Sequence, residues 1–211
     1  MEIYIIRHGE TRLNKQNVLQ GWTDEPLDER GVELAAKTGR AMHGVRFDVC
    51  YVSPLVRARQ TADELLRESG NVSTPVIVDE SAKEICCGEF EGEFYGKGSP
   101  VYEYCKVYFN DPMHFAGFPG GETVGALIDR TSVFIDRIIA EEGAKDGDGP
   151  DERRVLVSTH GCALRAMLNR FYSDPSDFWH GRVPPNCAVS MLKVKDGRAE
   201  LAVDDRVYAT L

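Results

Sequence analysis

The chain has 211 residues, enough for one domain with a buried core, and at 42% hydrophobic and 28% charged it has the composition of a soluble globular protein. No apolar run approaches the ~18 residues of a membrane helix, and a net charge of -9 leaves no basic stripe for nucleic acid. Six cysteines (Cys50, Cys86, Cys87, Cys105, Cys162, Cys187) without a Cys-x-x-Cys spacing point to reduced, mostly buried thiols rather than disulfides or zinc.

The N-terminus, MEIYIIRHGE, has an acid at position 2 and only four apolar residues in a row. It predicts a core strand rather than a signal peptide, and hence a cytoplasmic protein. A weak helical pattern follows over 12–20. LDERGVELAAKTGRAM then reads as a helix with Asp28 as N-cap and Val32, Ala35, Ala36 and Gly39 on one face. FDVCYV is a second strand, and SPLVRARQTADELLRE a second clear helix with Ser53 as N-cap and Pro54 at its first position. PVIVD gives a third strand.

The segment from Phe90 to Phe118 breaks this alternation. It holds nine of the seventeen Phe and Tyr residues and reads either as a satellite hydrophobic cluster or as a lid, an insertion over about 90–120. The long helix ETVGALIDRTSVFIDRIIAEE carries Val124, Leu127, Ile128, Thr131, Phe134, Ile138 and Ile139 at helical spacing. GAKDGDGPDE is a solvated loop leading to the strand VLVST, a helix over 162–172, and a closing hairpin that turns at Asp196-Gly197. Short apolar strands alternating with helices predict an α/β fold, a mostly parallel sheet covered on both faces.

Two stretches share a pattern. IYIIRHG at 3–9 and VLVSTHG at 155–161 are each an apolar, β-branched run followed by x-His-Gly. Both histidines, His8 and His160, then stand at carboxyl ends of strands, the edge where open α/β sheets bind ligands. His8 beside Arg7 suggests a nucleophile next to an anion-recruiting group: a neutral imidazole whose second nitrogen is held by a backbone carbonyl has a defined attacking tautomer. No His-Glu-x-x-His or similar spacing supports a metal.

Attack on phosphorus needs alignment and charge stabilisation on the phosphoryl oxygens, which the planar guanidinium fork supplies. Arg7 is one candidate and Arg57, near a helix start, another; Arg59 lies about 200° around the helix and belongs to the surface. Protonated, His160 would donate to a phosphate oxygen. The departing alcohol needs a proton, and Glu84, after the third strand, is the candidate acid. Glu89, Glu91 and Glu93 have the spacing of a solvated face.

Taken together, RHGETRLN, SPLVRARQTA, KEICCGEFEG, GGET and STHG resemble the motifs of the histidine phosphatase superfamily, the phosphoglycerate-mutase-like enzymes, in order and spacing over essentially the whole chain. The resemblance implies a three-layer α/β/α sandwich spanning 1–211 with a small lid insertion. It implies a phosphate pocket of Arg7, His8, Arg57 and His160, with His8 phosphorylated and Glu84 the proton donor. It adds Asn14, Gln20 and Asn186 at the pocket border, with Gly161 beside the second histidine in the substrate-binding set. The chain departs from the family at Cys86-Cys87, where an aromatic or bulky residue usually precedes the glycine.

Residues 85–118 contain no arginine and only Lys97 and Lys106, against Glu89, Glu91, Glu93, Glu103 and Asp111. That segment repels a bisphosphate, so the expected reaction is hydrolysis of a small phosphate monoester. The alternatives are mutase-type transfer and a non-catalytic module that binds phosphorylated ligands. No metal or cofactor is expected, no nucleic acid or membrane partner, and a homodimer is allowed.

Overall fold

The computed structural model describes residues 1–145 and 152–210. Most of the loop read at 143–152 therefore lies outside the described residues. Six strands form one sheet: β1 (Glu2–Arg7), β2 (Val49–Val52), β3 (Val76–Val78), β4 (Arg154–Thr159), β5 (Val189–Lys195) and β6 (Arg198–Arg206). Their spatial order is β3-β2-β4-β1-β5-β6, with β1 to β4 mutually parallel and β5 antiparallel to both β1 and β6. The hairpin turns at Asp196 and Gly197, whose φ values of 50° and 71° are the pair a two-residue turn of this hand requires.

Helices cover both faces. They are α1 (Arg12–Lys15), α2 (Glu29–Ala41), α3 (Val56–Ser69), α4 (Tyr102–Asn110), α5 (Val124–Gly143) and α6 (Gly161–Leu168). Side-chain alternation along the strands sorts the core: Tyr4, Ile6, Cys50, Val52 and Leu156 pack with Ala35, Ala58, Ala62 and Leu65 of α2 and α3. Ile3, Ile5, Tyr51, Val155 and Val157 face the other way, onto Leu127, Phe134 and Ile138 of α5 and Leu164 and Met167 of α6. This is the expected three-layer α/β/α arrangement.

Asp28 caps α2 as its sequence suggests, accepting from the Gly31 N–H at 2.8 Å. Gly31 also lets α2 sit against the loop after β1, because a Cβ there would lie 2.1 Å from the Glu10 carbonyl oxygen. We expect Gly31→Ala to lower unfolding stability by about 2 kcal/mol or more in a urea titration, since backbone must move to admit the methyl group.

Two local readings are corrected, and the third strand, which forms as read, lies at the sheet edge. The helical pattern at 12–20 yields only the four-residue α1, because Asn17 takes a left-handed φ of 54° and ends it. Strand β3 is an exposed edge, with Val76, Ile77 and Val78 at 47, 42 and 52% exposure. An apolar run of that length does not distinguish an edge strand from a central one. Ser53 is not a helix cap: α3 starts from Leu55, and the Val56 N–H is taken by Asp24 at 2.7 Å.

The aromatic segment is not a satellite cluster but part of the main core. Tyr108, Phe115 and Phe118 are buried in continuity with the main core and pack on one another and on Trp179. Its leading edge pairs with the loop after α1, where the Leu19 N–H donates to the Glu93 carbonyl and the Tyr95 N–H to the Asn17 carbonyl.

Candidate active site

Strands β1 and β4 are neighbours in register, Arg7 opposite Thr159, and the His8 N–H extends the ladder to the Thr159 carbonyl at 2.9 Å. The next pair is therefore His8 and His160, whose ring centroids stand 5.2 Å apart. After β1 the chain leaves for the α2 face of the sheet and after β4 for the α6 face. Such a divergence opens a crevice at the carboxyl edge.

His8 is buried, and its Nδ1 lies 2.7 Å from the Gly9 carbonyl oxygen. A carbonyl only accepts, so Nδ1 carries the hydrogen and Nε2 of the neutral ring keeps its lone pair. Burial first, then the Arg57 and Arg7 guanidinium groups, pushes the His8 pKa well below its ordinary value, so that neutral ring persists at neutral pH. This is the attacking tautomer that the sequence reading required.

Arg57 is fully buried, and its Nη atoms donate to the carbonyls of Gln20, Gly21 and Thr23 at 2.7 to 3.2 Å. Burial lowers its pKa to about 10, which leaves it charged. Arg7 donates through Nη1 to the Pro184 carbonyl. In both residues Nε is buried with no protein partner among the described residues, and the same is true of His160 Nδ1. Buried polar groups almost always find a hydrogen-bond partner. Three such atoms on residues that bear electrostatically on one another suit an anion with several acceptor oxygens. Gly161 keeps the space for Arg7: a Cβ would stand 3.3 Å from Arg7 Nε and 3.1 Å from Val183 Cγ1.

Glu84 reaches the same edge, as its position after β3 suggested. Its carboxylate sits on the first turn of α6, accepting from the Cys162 N–H at 3.0 Å through Oε2 and from the Ala163 N–H at 2.8 Å through Oε1. Oε1 also accepts from the Ile85 N–H at 2.9 Å. One lone pair on Oε2 is left for a proton. Asn14, Gln20 and Asn186 lie around His8 but act on the loop itself. Asn186 Nδ2 donates to the His8 carbonyl at 3.0 Å, Asn14 Oδ1 accepts from the Thr11 N–H, and the Gln20 side chain pairs with the Thr11 hydroxyl. Arg59 is exposed, as expected.

Several residues of the site were not visible in the sequence. Glu91, read as part of a solvated face, accepts from the backbone N–H groups of Gly21, Trp22, Thr23 and Cys87, so it pins the loop that Arg57 holds from the other side. Arg130 of α5 grips Glu122 through two nitrogens and donates to the carbonyls of Ser81, Lys83 and Glu84, which fixes the turn carrying the acid. Trp22 Nε1 donates to the same Glu84 carbonyl at 2.9 Å. Ser53 Oγ lies 2.7 Å from His160 Nε2. The only available signal was position: Ser53 follows β2 at the carboxyl edge. All six cysteines are free; Cys86 alone is partly exposed, and burial pushes the Cys87 and Cys162 thiols well up.

Comparison with known proteins agrees with this geometry. The family model for the histidine phosphatase superfamily (branch 1) matches residues 3–204. A 2,3-bisphosphoglycerate-dependent phosphoglycerate mutase of Methylobacterium sp. (strain 4-46) is 31% identical over 168 residues, covering 79% of this chain and 78% of the relative. Among solved structures, Bacillus stearothermophilus YhfR superposes with a TM-score of 0.84 at 27% identity, over 98% of this chain and 97% of that one. A putative alpha-ribazole-5'-P phosphatase from Escherichia coli str. K-12 substr. MG1655 gives 0.80 at 26% identity, over 96 and 95%.

Proposed function

The chain belongs to the histidine phosphatase superfamily, and on that premise we propose that it hydrolyses small phosphate monoesters through a phosphohistidine on His8. In the first step His8 Nε2 forms a bond to phosphorus as the ester P–O bond breaks, and Glu84 delivers a proton from Oε2 to the departing oxygen. In the second, Glu84 takes a proton from water, whose oxygen attacks phosphorus as the P–N bond breaks. Arg7, Arg57 and His160 hold the equatorial oxygens throughout, where charge collects in the transition state.

The observation that carries the choice of hydrolysis over transfer is the distribution of cations around the site and the aromatic segment. A sugar-acid bisphosphate needs positive groups beyond the reacting phosphate. Lys106 is paired outward with Glu103, Lys97 is exposed, Lys83 is paired with Glu80 and lies over the Trp22 ring, and Arg130 is held by Glu122. Around Arg7, beside the Glu84 carboxylate and the Cys187 thiol, lie two aromatic residues: Tyr95, whose hydroxyl bonds Asn17 Oδ1, and the buried Tyr108. This supports monoesters with a bulky or aromatic leaving group. The test is a panel of phosphomonoesters, including 4-nitrophenyl phosphate, run beside a 3-phosphoglycerate mutase assay. Hydrolysis of the aromatic esters is expected to dominate; mutase turnover exceeding hydrolysis would overturn the proposal.

A further inference from the structure

The second histidine poses a question that the first does not. His160 is fully buried, and burial, with Arg57, His8, Arg7 and Arg130 nearby, holds its pKa well below the ordinary value. The three guanidinium groups come from α3, β1 and α5, while the neighbouring Glu84 carboxylate is bonded to the N–H groups of Cys162 and Ala163. The ring is thus neutral at neutral pH. A neutral imidazole has one N–H only, and it helps an anion only if that hydrogen is on the nitrogen facing it.

The hydrogen-bond inventory of Ser53 selects the nitrogen. Ser53 is fully buried, and its Oγ already accepts from the Leu55 N–H at 3.4 Å. Its own hydroxyl hydrogen has one acceptor in reach, His160 Nε2 at 2.7 Å. Were Nε2 protonated, Oγ would receive two N–H groups and its hydrogen would be buried without an acceptor, at the cost of a lost hydrogen bond. We propose that Ser53 is a positioning residue for the phosphate site: its hydroxyl donates to His160 Nε2 and thereby fixes the ring hydrogen on Nδ1, the atom that faces the anion. Nδ1 is buried and has no protein partner, like Arg7 Nε and Arg57 Nε. The site then offers the phosphoryl oxygens a hydrogen-bond donor without adding a third full charge to two guanidinium groups.

The tautomer itself is read without any ligand, by long-range ¹H–¹⁵N correlation of the histidine rings, the His160 signals being identified by their loss in His160→Asn. Wild-type protein is expected to show His160 protonated at Nδ1, and Ser53→Ala to shift it toward Nε2. The consequence for binding rests on the proposed phosphatase reading and is measured separately, as competitive inhibition by inorganic phosphate. In Ser53→Ala the affinity should fall ~10-fold between pH 7 and 8, where the ring is neutral. Ser53→Thr, which keeps the hydroxyl, should behave as wild type. A wild-type His160 protonated at Nε2 overturns the proposal even if no Ser53 variant folds. So does a Ser53→Ala protein with unchanged tautomer and unchanged phosphate inhibition. A correct tautomer with no phosphate inhibition at all would instead count against the phosphatase reading.

Discussion

His8→Ala is expected to reduce phosphomonoester turnover by ~10⁴-fold or more and to abolish acid-labile phosphate on the protein after brief exposure to substrate. The expectation follows from the bond between Nδ1 and the Gly9 carbonyl, which leaves Nε2 as the only nucleophilic nitrogen of that ring. The variant keeps Arg7, Arg57 and His160, so it should still bind inorganic phosphate, and this separates a missing nucleophile from a collapsed pocket. Activity comparable to wild type would remove His8 from the mechanism.

The same residue sets the pH behaviour. Because burial and the two guanidinium groups depress the folded-state pKa, His8 stays neutral as pH falls through ~6.5, where the unfolded chain begins to take up protons. The initial rate of phosphoenzyme formation should therefore hold at pH 6. Stability should not hold, since below ~6.5 the unfolded state binds protons that the native state refuses, at both His8 and His160. The urea midpoint should fall between pH 7 and 5.5, and fall less in His8→Ala.

What could be read in advance was what has a short sequence period or a strand-end position. β1 and β4 were legible because apolar β-branched runs end in x-His-Gly, and parallel neighbours in register bring such ends together. Arg57 was legible because it opens a helix at the same edge. Ser53 was misread because Ser-Pro before a helix carries a strong capping signature; the competing fact, that a strand-end hydroxyl faces the site, appears only once β2 lies beside β4. Glu91 acts on backbone groups 68 to 70 positions away, at Gly21, Trp22 and Thr23, and Arg130 on groups 46 to 49 away, at Ser81, Lys83 and Glu84. Such bonds follow no period. The exposure of β3 was illegible for a related reason: three apolar residues have the same pattern at a sheet edge as at its centre, and only the strand order decides.

Glu84→Gln is the second large effect expected, and its signature depends on the substrate. Stability should fall by ~1–3 kcal/mol, because an amide offers one acceptor oxygen where the carboxylate uses both, and its NH₂ would face a backbone N–H of α6. Catalytically the variant cannot donate a proton, so esters with alkoxide leaving groups should lose ~10²–10⁴-fold in kcat. A 4-nitrophenolate leaving group needs little protonation, so His8 should still be phosphorylated quickly from that ester. Water must then be activated by a residue that no longer accepts a proton, and the phosphohistidine should accumulate. The expected result is a near-stoichiometric burst of 4-nitrophenol followed by slow turnover, with acid-labile phosphate trapped on the protein. Equal losses in burst and turnover, whatever the leaving group, would reduce Glu84 to a support for the first turn of α6 and leave the proton donor to be found elsewhere on the carboxyl edge.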